Sequence, residues 1–275
     1  MKNLILLLRI EWLKVAKRRI FWVAIGAFSL FTAIPVVMGI RNAHIHPNAV
    51  FTLPESWPEI LGTPSGLGPL FAGVLMILLF APEFSWRTAR QNIIDGLSKE
   101  QFYAGKVILL AGLVLLLMAV AVLTGISSTM FSPGEGSSGV FRSSDLSYMG
   151  GMALGILVFG SFGLMLATHL RSSGSALGIL FLYFVVEELV AMLMLRSRSE
   201  TFHAATEFLP VNLVDNLRDD LVYYPGELAD VNSARAELEL APLEFPDVWV
   251  LVIVALAYIM VLLGLSLLNL RKRDL

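Results

Sequence analysis

Cysteine is missing from the 275-residue sequence, which excludes disulfides and thiolate metal sites and leaves the redox compartment unmarked. Charge is scarce too: Asp, Glu, Lys and Arg make up 15% of residues, against roughly 25% in an ordinary soluble domain. No G-x-x-x-x-G-K-[ST] occurs, and no glycine-rich turn joins a strand to a helix. The chain therefore lacks the phosphate-cradling loop of an ATPase, and any ATP-driven work requires a separate subunit. Histidine is rare. His44 and His46 form an H-x-H without a third ligand nearby, a poor metal site. No histidine falls in the last two apolar runs, so Ser161 of Gly160-Ser161-Phe162-Gly163 has no base to activate it. The start, MKNLILLLRIEW, makes a poor signal peptide because Arg9 interrupts its apolar run and no small-residue cleavage site follows.

What the sequence has in abundance is apolar length. Hydrophobic residues reach 56% and mean hydropathy is +0.75. Runs near or above about 18 apolar residues read as membrane-spanning helices. These predict an all-α integral membrane protein with six spans, at residues 20–40, 66–84, 107–130, 148–170, 176–195 and 248–270. The whole chain, 1–275, reads as a single permease-type domain without internal repeat. A Pro-rich loop (Pro47, Pro54, Pro58, Pro64) is expected before the second span, and a Gly/Ser loop before the fourth. Gly151/Gly155 and Gly174/Gly178 are in small-xxx-small spacing, which predicts close packing of the fourth span against the fifth, with a dimer contact as the alternative.

Three polar segments flank these spans. In residues 2–19, Ile5, Leu8, Trp12 and Val15 form an apolar stripe, with Arg9, Lys14, Lys17 and Arg18 mostly off it; this predicts an interfacial helix lying on the lipid headgroups. Residues 196–246 read as short amphipathic helices over 200–209, 211–221 and 227–240, punctuated by Pro210, Pro225, Pro242 and Pro246. Between the second and third spans lies EFSWRTARQNIIDGLSKEQFYAGK, residues 83–106.

Positive charge orients the chain. Lys2, Arg9, Lys14, Lys17, Arg18 and Arg19, then Arg87, Arg90, Lys99 and Lys106, then Arg171, then Arg271, Lys272 and Arg273 all fall on one side of a six-span topology. The opposite loops hold Arg41, Arg142, Arg196, Arg198, Arg218 and Arg235, with the last four set among many acids. The positive-inside rule predicts a multi-pass protein of the cell (inner) membrane with both termini in the cytoplasm.

Within residues 83–106, Trp86, Ile93 and Leu97 fall at i, i+7 and i+11, which predicts a helix over 85–100 with one apolar side. Glu83 and Arg87 stand at i, i+4 with the acid first, the favourable order for a helical pair. Arg90 lies two turns below Glu83. In the fifth span, Glu187 and Glu188 are adjacent, so they point about 100° apart and cannot both face one lumen. A carboxylate at the bilayer centre costs on the order of 2.5–3.5 kcal/mol. Two readings stand. Either one acid lines a substrate path or holds a cation or proton, with Tyr183 one turn away beside it, or both reach interfacial water or the outer helices.

Taken in register, Glu83, Thr88, Arg90, Ile93, Ile94, Gly96, Ser98, Phe102, Gly105 and Lys106 form a pattern. It resembles the signature of type-2 ABC exporter permeases, the ABC-2 superfamily: Glu, Gly-Thr, a basic residue, two apolar positions, Pro or Gly, Ser-Arg, an aromatic or aliphatic residue, and Gly-Lys. Arg87 stands where glycine is usual and Lys99 where arginine is usual. The likeness extends to the interfacial helix, the six spans and the helical segment between spans five and six.

The resemblance implies that Glu83, Arg87, Thr88, Arg90, Ile93, Ile94, Gly96, Leu97, Ser98, Lys99 and Lys106 belong to a cytoplasmic coupling helix docked on a separate ABC ATPase subunit. That subunit would hold ATP and Mg, and this chain would carry no cofactor and catalyse nothing. A second copy or close paralogue would complete a path along the dimer interface. The expected cargo is hydrophobic or amphipathic, with no nucleic-acid partner. Two other classes compete on the same residues: an ion-coupled secondary transporter using Glu187 or Glu188, and a membrane maturation protein recruiting an extracytoplasmic partner through residues 196–246.

Overall fold

The computed structural model describes residues 11–46, 51–131, 140–197, 199–222, 227–237, 239, 242 and 246–273. The described residues are helical with no strand. A short helix α1 covers residues 11–16, and the chain then bends at Lys17–Arg18. After it come α2 (Arg19–Ile45), α3 (Trp57–Ser85), α4 (Thr88–Ile94), α5 (Lys99–Ser128), α6 (Ser143–Leu170) and α7 (Ser173–Leu195). Three short helices follow, α8 (Glu200–Thr206), α9 (Pro210–Val222) and α10 (Glu227–Glu237), before α11 (Val248–Lys272).

Six of these helices (α2, α3, α5, α6, α7 and α11) are long and apolar enough to cross a membrane. Each is somewhat longer than its apolar run. The largest difference is at α3, which begins at Trp57 and takes in Pro58 and Pro64, so half of the expected Pro-rich loop is helix. Pro58 sits in the first turn, where a missing N–H leaves no bond unmade. Pro64, Pro69 and Pro82 lie inside the helix, tolerable where neighbouring spans enclose it. Pro47 and residues 132–139 of the Gly/Ser loop lie outside the described residues, as do Ile5, Leu8 and Arg9 of the N-terminal stripe. Of that stripe, Val15 is buried and Trp12 half-exposed.

α3 and α6 form the centre. They are the most enclosed spans, and their backbones meet directly: a Cβ on Gly163 would strike the Gly73 carbonyl group. Gly160 likewise accepts the Leu110 side chain of α5 against its backbone. The glycines around Ser161 are therefore packing glycines. α2 packs on α3, α9 and α11 pack mainly on α6, and α5 and α7 each touch both central helices. The expected contact of span four with span five through glycines is not what forms. Gly155 faces Pro69 of α3 and Val214 of α9, while Gly174 and Gly178 have no neighbour in reach. The reason is that α3, rich in small residues, offers α6 a closer approach than the bulkier α7 does.

Candidate functional site

The basic ends of the helices gather in one place, and the gathering is held by side chains. Lys106, fully buried, donates to Glu83 Oε1 and Glu11 Oε2, both at 2.6 Å. Its ammonium also lies 5.0 Å from the Phe102 ring centre and 5.2 Å from that of Phe80. Lys14 adds a second cation to Glu11 at 3.1 Å. Burial alone would raise the Glu11 carboxyl, but Lys106 and then Lys14 outweigh it and hold it below its ordinary value of 4.5. This cluster ties α1 to the end of α3 and the start of α5.

It also corrects the expected pairing of Glu83 with Arg87. The α3 helix stops at Ser85, and Arg87 adopts a left-handed conformation with φ 57°. That corner turns Arg87 and everything after it off the α3 axis, so Glu83 meets Lys106 instead. Arg90 for the same reason does not continue the Glu83 side of one helix. Glu83 and Lys106 are buried and contribute no docking surface.

Past the corner, α4 is only seven residues long. Thr88 Oγ1 ties its start back to the Glu83 carbonyl at 3.2 Å. Its end is a Schellman-type stop: Leu97 N–H donates to the Asn92 carbonyl and Gly96 N–H to that of Ile93, both at 3.1 Å, with Gly96 at φ 102°. Ser98 then caps α5 in a reciprocal box with Gln101. The 85–100 helix of the sequence reading is thus a seven-residue helix flanked by a corner and a cap. Trp86, Ile93 and Leu97 do not form one stripe, because only Ile93 is in α4. Trp86 and Ile94 are each 67% exposed, while Ile93 and Leu97 are half-buried.

Lys99 faces inward along the basic end: its ammonium donates to the Arg271 and Arg273 carbonyls at 3.1 and 2.9 Å, satisfying the last turn of α11. Arg271 pairs with Glu100, and Arg273 donates to the His169 carbonyl.

Arg87, Thr88 and Arg90 remain exposed. Arg87 and Arg90 have no ion pair or side-chain hydrogen bond among the described residues. Together with Phe84, Ser85, Ala89 and Arg171 they line a cleft of about 330 Å³. Arg171 is the second left-handed corner, φ 54°, at the end of α6; its guanidinium lies 5.1 Å from the Phe84 ring centre and its carbonyl accepts from Ser85 Oγ at 3.2 Å. Three guanidinium groups on one concavity, with no acid in its lining, make a field that attracts an anionic surface. Arg171 was not visible as a member of this site from sequence, where it counted only toward charge asymmetry.

At the other end, the two acids of α7 part company. Glu188 is exposed on the outer side, and Glu187 is 5% exposed with Oε1 accepting the Val211 backbone N–H at 2.6 Å. Glu187 therefore caps the first turn of α9 from a neighbouring span. The side chain of Tyr183 faces the same carboxylate. No group of three or more metal-ligating side chains occurs among the described residues.

Six apolar spans with short helices between them define the class: a helical, multi-pass membrane protein. Within that class, residues 65–275 match the family described as Protein of unknown function (DUF2705), and the chain belongs to it. No curated protein matches the chain.

Proposed function

We propose that this chain is the membrane-spanning permease of an ATP-driven exporter of the ABC type, worked by a separate ATPase subunit at its basic, cytoplasmic end. One observation carries the reading. The connection between the second and third spans is fastened at both ends yet presents unpaired Arg87 and Arg90, with exposed Trp86 and Ile94, to whatever lies beyond the membrane. A solvated loop needs no such fastening. A lever does.

The resemblance to ABC-2 permeases supports the same assignment. Glycine is usual there at the position of Arg87, and the left-handed backbone at that residue is one glycine adopts without strain. As the resemblance implies, the permease works as a pair of like subunits. ATP-driven closure of the ATPases moves α4, and through it the spans, between inward and outward states around a hydrophobic or amphipathic cargo.

Co-expression with candidate ABC ATPases tests this. Replacing Arg90 and Ile94 together by Asp should cut the co-purifying ATPase at least tenfold while the amount of inserted protein stays the same. Undiminished co-purification would refute the docking role.

A further inference from the structure

Toward the end that carries α8–α10, a chamber of about 190 Å³ opens between four helices. Phe159 and Phe162 of α6, Tyr183 of α7, Pro210 of α9 and Tyr258 of α11 make most of its wall. Phe162 and Tyr183 meet edge to face at 4.8 Å, which fixes the two rings against each other in the wall. Tyr258 is fixed by its hydroxyl, which donates to the Phe208 carbonyl at 3.1 Å.

Glu187 sits behind this wall. Tyr183 and Tyr258 both lie beside its carboxylate, and Pro210 directly precedes the Val211 whose N–H binds Oε1. The first turn of α9 offsets part of the charge. Oε2 is buried and has no hydrogen-bond partner among the described residues, and no cationic side chain pairs with Glu187 there. Asp215, an acid whose charge acts on Glu187, is itself engaged by Arg218 at 3.1 Å.

Four aromatic side chains line one small space, and behind them lies a carboxylate that accepts two backbone N–H groups on Oε1 and has no partner on Oε2 among the described residues. That combination selects a cation. A metal ion or a primary ammonium would have to shed a strong hydration shell against apolar walls that return few hydrogen bonds. A quaternary ammonium sheds little, and its methyl groups match ring faces. The volume lies below the roughly 300–1,000 Å³ of drug-sized pockets, so the ligand is small.

We propose that this chamber binds a small quaternary-ammonium cation, seated on Phe159, Phe162, Tyr183 and Tyr258 with Glu187 as its counter-charge. Binding is a property of this chain alone and does not depend on the export reading; where export holds, it names the class of cargo.

The test uses the full chain in phosphatidylglycerol nanodiscs, titrated calorimetrically with choline and with its neutral isostere, 3,3-dimethylbutan-1-ol. Choline should bind saturably and the alcohol at least tenfold more weakly. Glu187→Gln keeps an oxygen for the Val211 N–H and should weaken choline at least tenfold without changing the alcohol. A variant with one ring fewer, Phe162→Leu, should weaken choline several-fold and provides the same evidence should Glu187→Gln fail to fold. Equal affinity for the two ligands, no saturable choline binding, or choline affinity untouched in these variants would overturn the proposal. Loss of choline binding in phosphatidylcholine discs would support the same site with a lipid headgroup as its occupant.

Discussion

Lys106 stands between two buried carboxylates, and the arrangement is one-sided in its consequences. Removing the ammonium leaves Glu83 and Glu11 enclosed together without a cation between them. Breaking a buried ion pair from one side costs about 3–5 kcal/mol. Lys106→Met should therefore lower the thermal unfolding temperature far more than Lys14→Met, whose partner keeps Lys106; unfolding followed by circular dichroism in detergent compares the two. Acid acts on the same cluster. Because the Glu11 carboxyl is depressed in the folded state, its contribution is complete above its ordinary value of 4.5 and disappears as pH falls through the lowered value. Release of α1, read as cleavage by a protease near residue 16, should begin only in that acid range and not near neutrality. Arg87 is a residue of a different kind. Its left-handed backbone costs about 1–2 kcal/mol relative to an unstrained conformation, so Arg87→Gly should raise the unfolding temperature while taking one guanidinium out of the cleft.

The elements themselves follow two seams. α3 and α6 touch backbone to backbone at Gly73 and Gly163. Gly163→Ala has no flexible side chain to displace, and overpacking of this sort costs typically 1–3 kcal/mol. Its unfolding temperature should fall by several degrees, whereas Gly178→Ala, with open space around it, should change it little; the same melting experiment separates them. How much of this the sequence disclosed depends on the range of the signal. The six spans are local facts, written in runs of apolar residues. Gly96 and the Ser98–Gln101 box are also local, and they carry the stop of α4 and the start of α5 in plain form. Reading Trp86 to Leu97 as one helix overlooked that punctuation in favour of apolar spacing. One of the two partners of Lys106, Glu11, is 95 residues away, and Arg171 joins Arg87 and Arg90 only because two spans end side by side. Periodicity holds no information about such meetings. Glu187 lies between these cases: adjacency to Glu188 told that the pair must diverge, while its grip on Val211 required the fold.

For the whole molecule, the absence of native cysteine is an experimental advantage. Single cysteines at Arg90 and at Ser233, both exposed, should react with a membrane-impermeant maleimide from opposite sides in intact cells and inverted vesicles. Arg90→Cys should label only from inside and Ser233→Cys only from outside; labelling of both from one side would reverse or dissolve the six-span topology with its basic end inward. Burial is uneven across the spans, with α3 and α6 the most enclosed and α7 and α11 the least.

The contact of Gly73 with Gly163 has a mechanical meaning. At that crossing no side chain stands between the two rods, so their spacing is set by backbone against backbone. The Arg87 corner hangs from one rod and the Arg171 corner from the other. A methyl group added at Gly163 would push the two rods apart, and with them the two corners whose arginines line the notch.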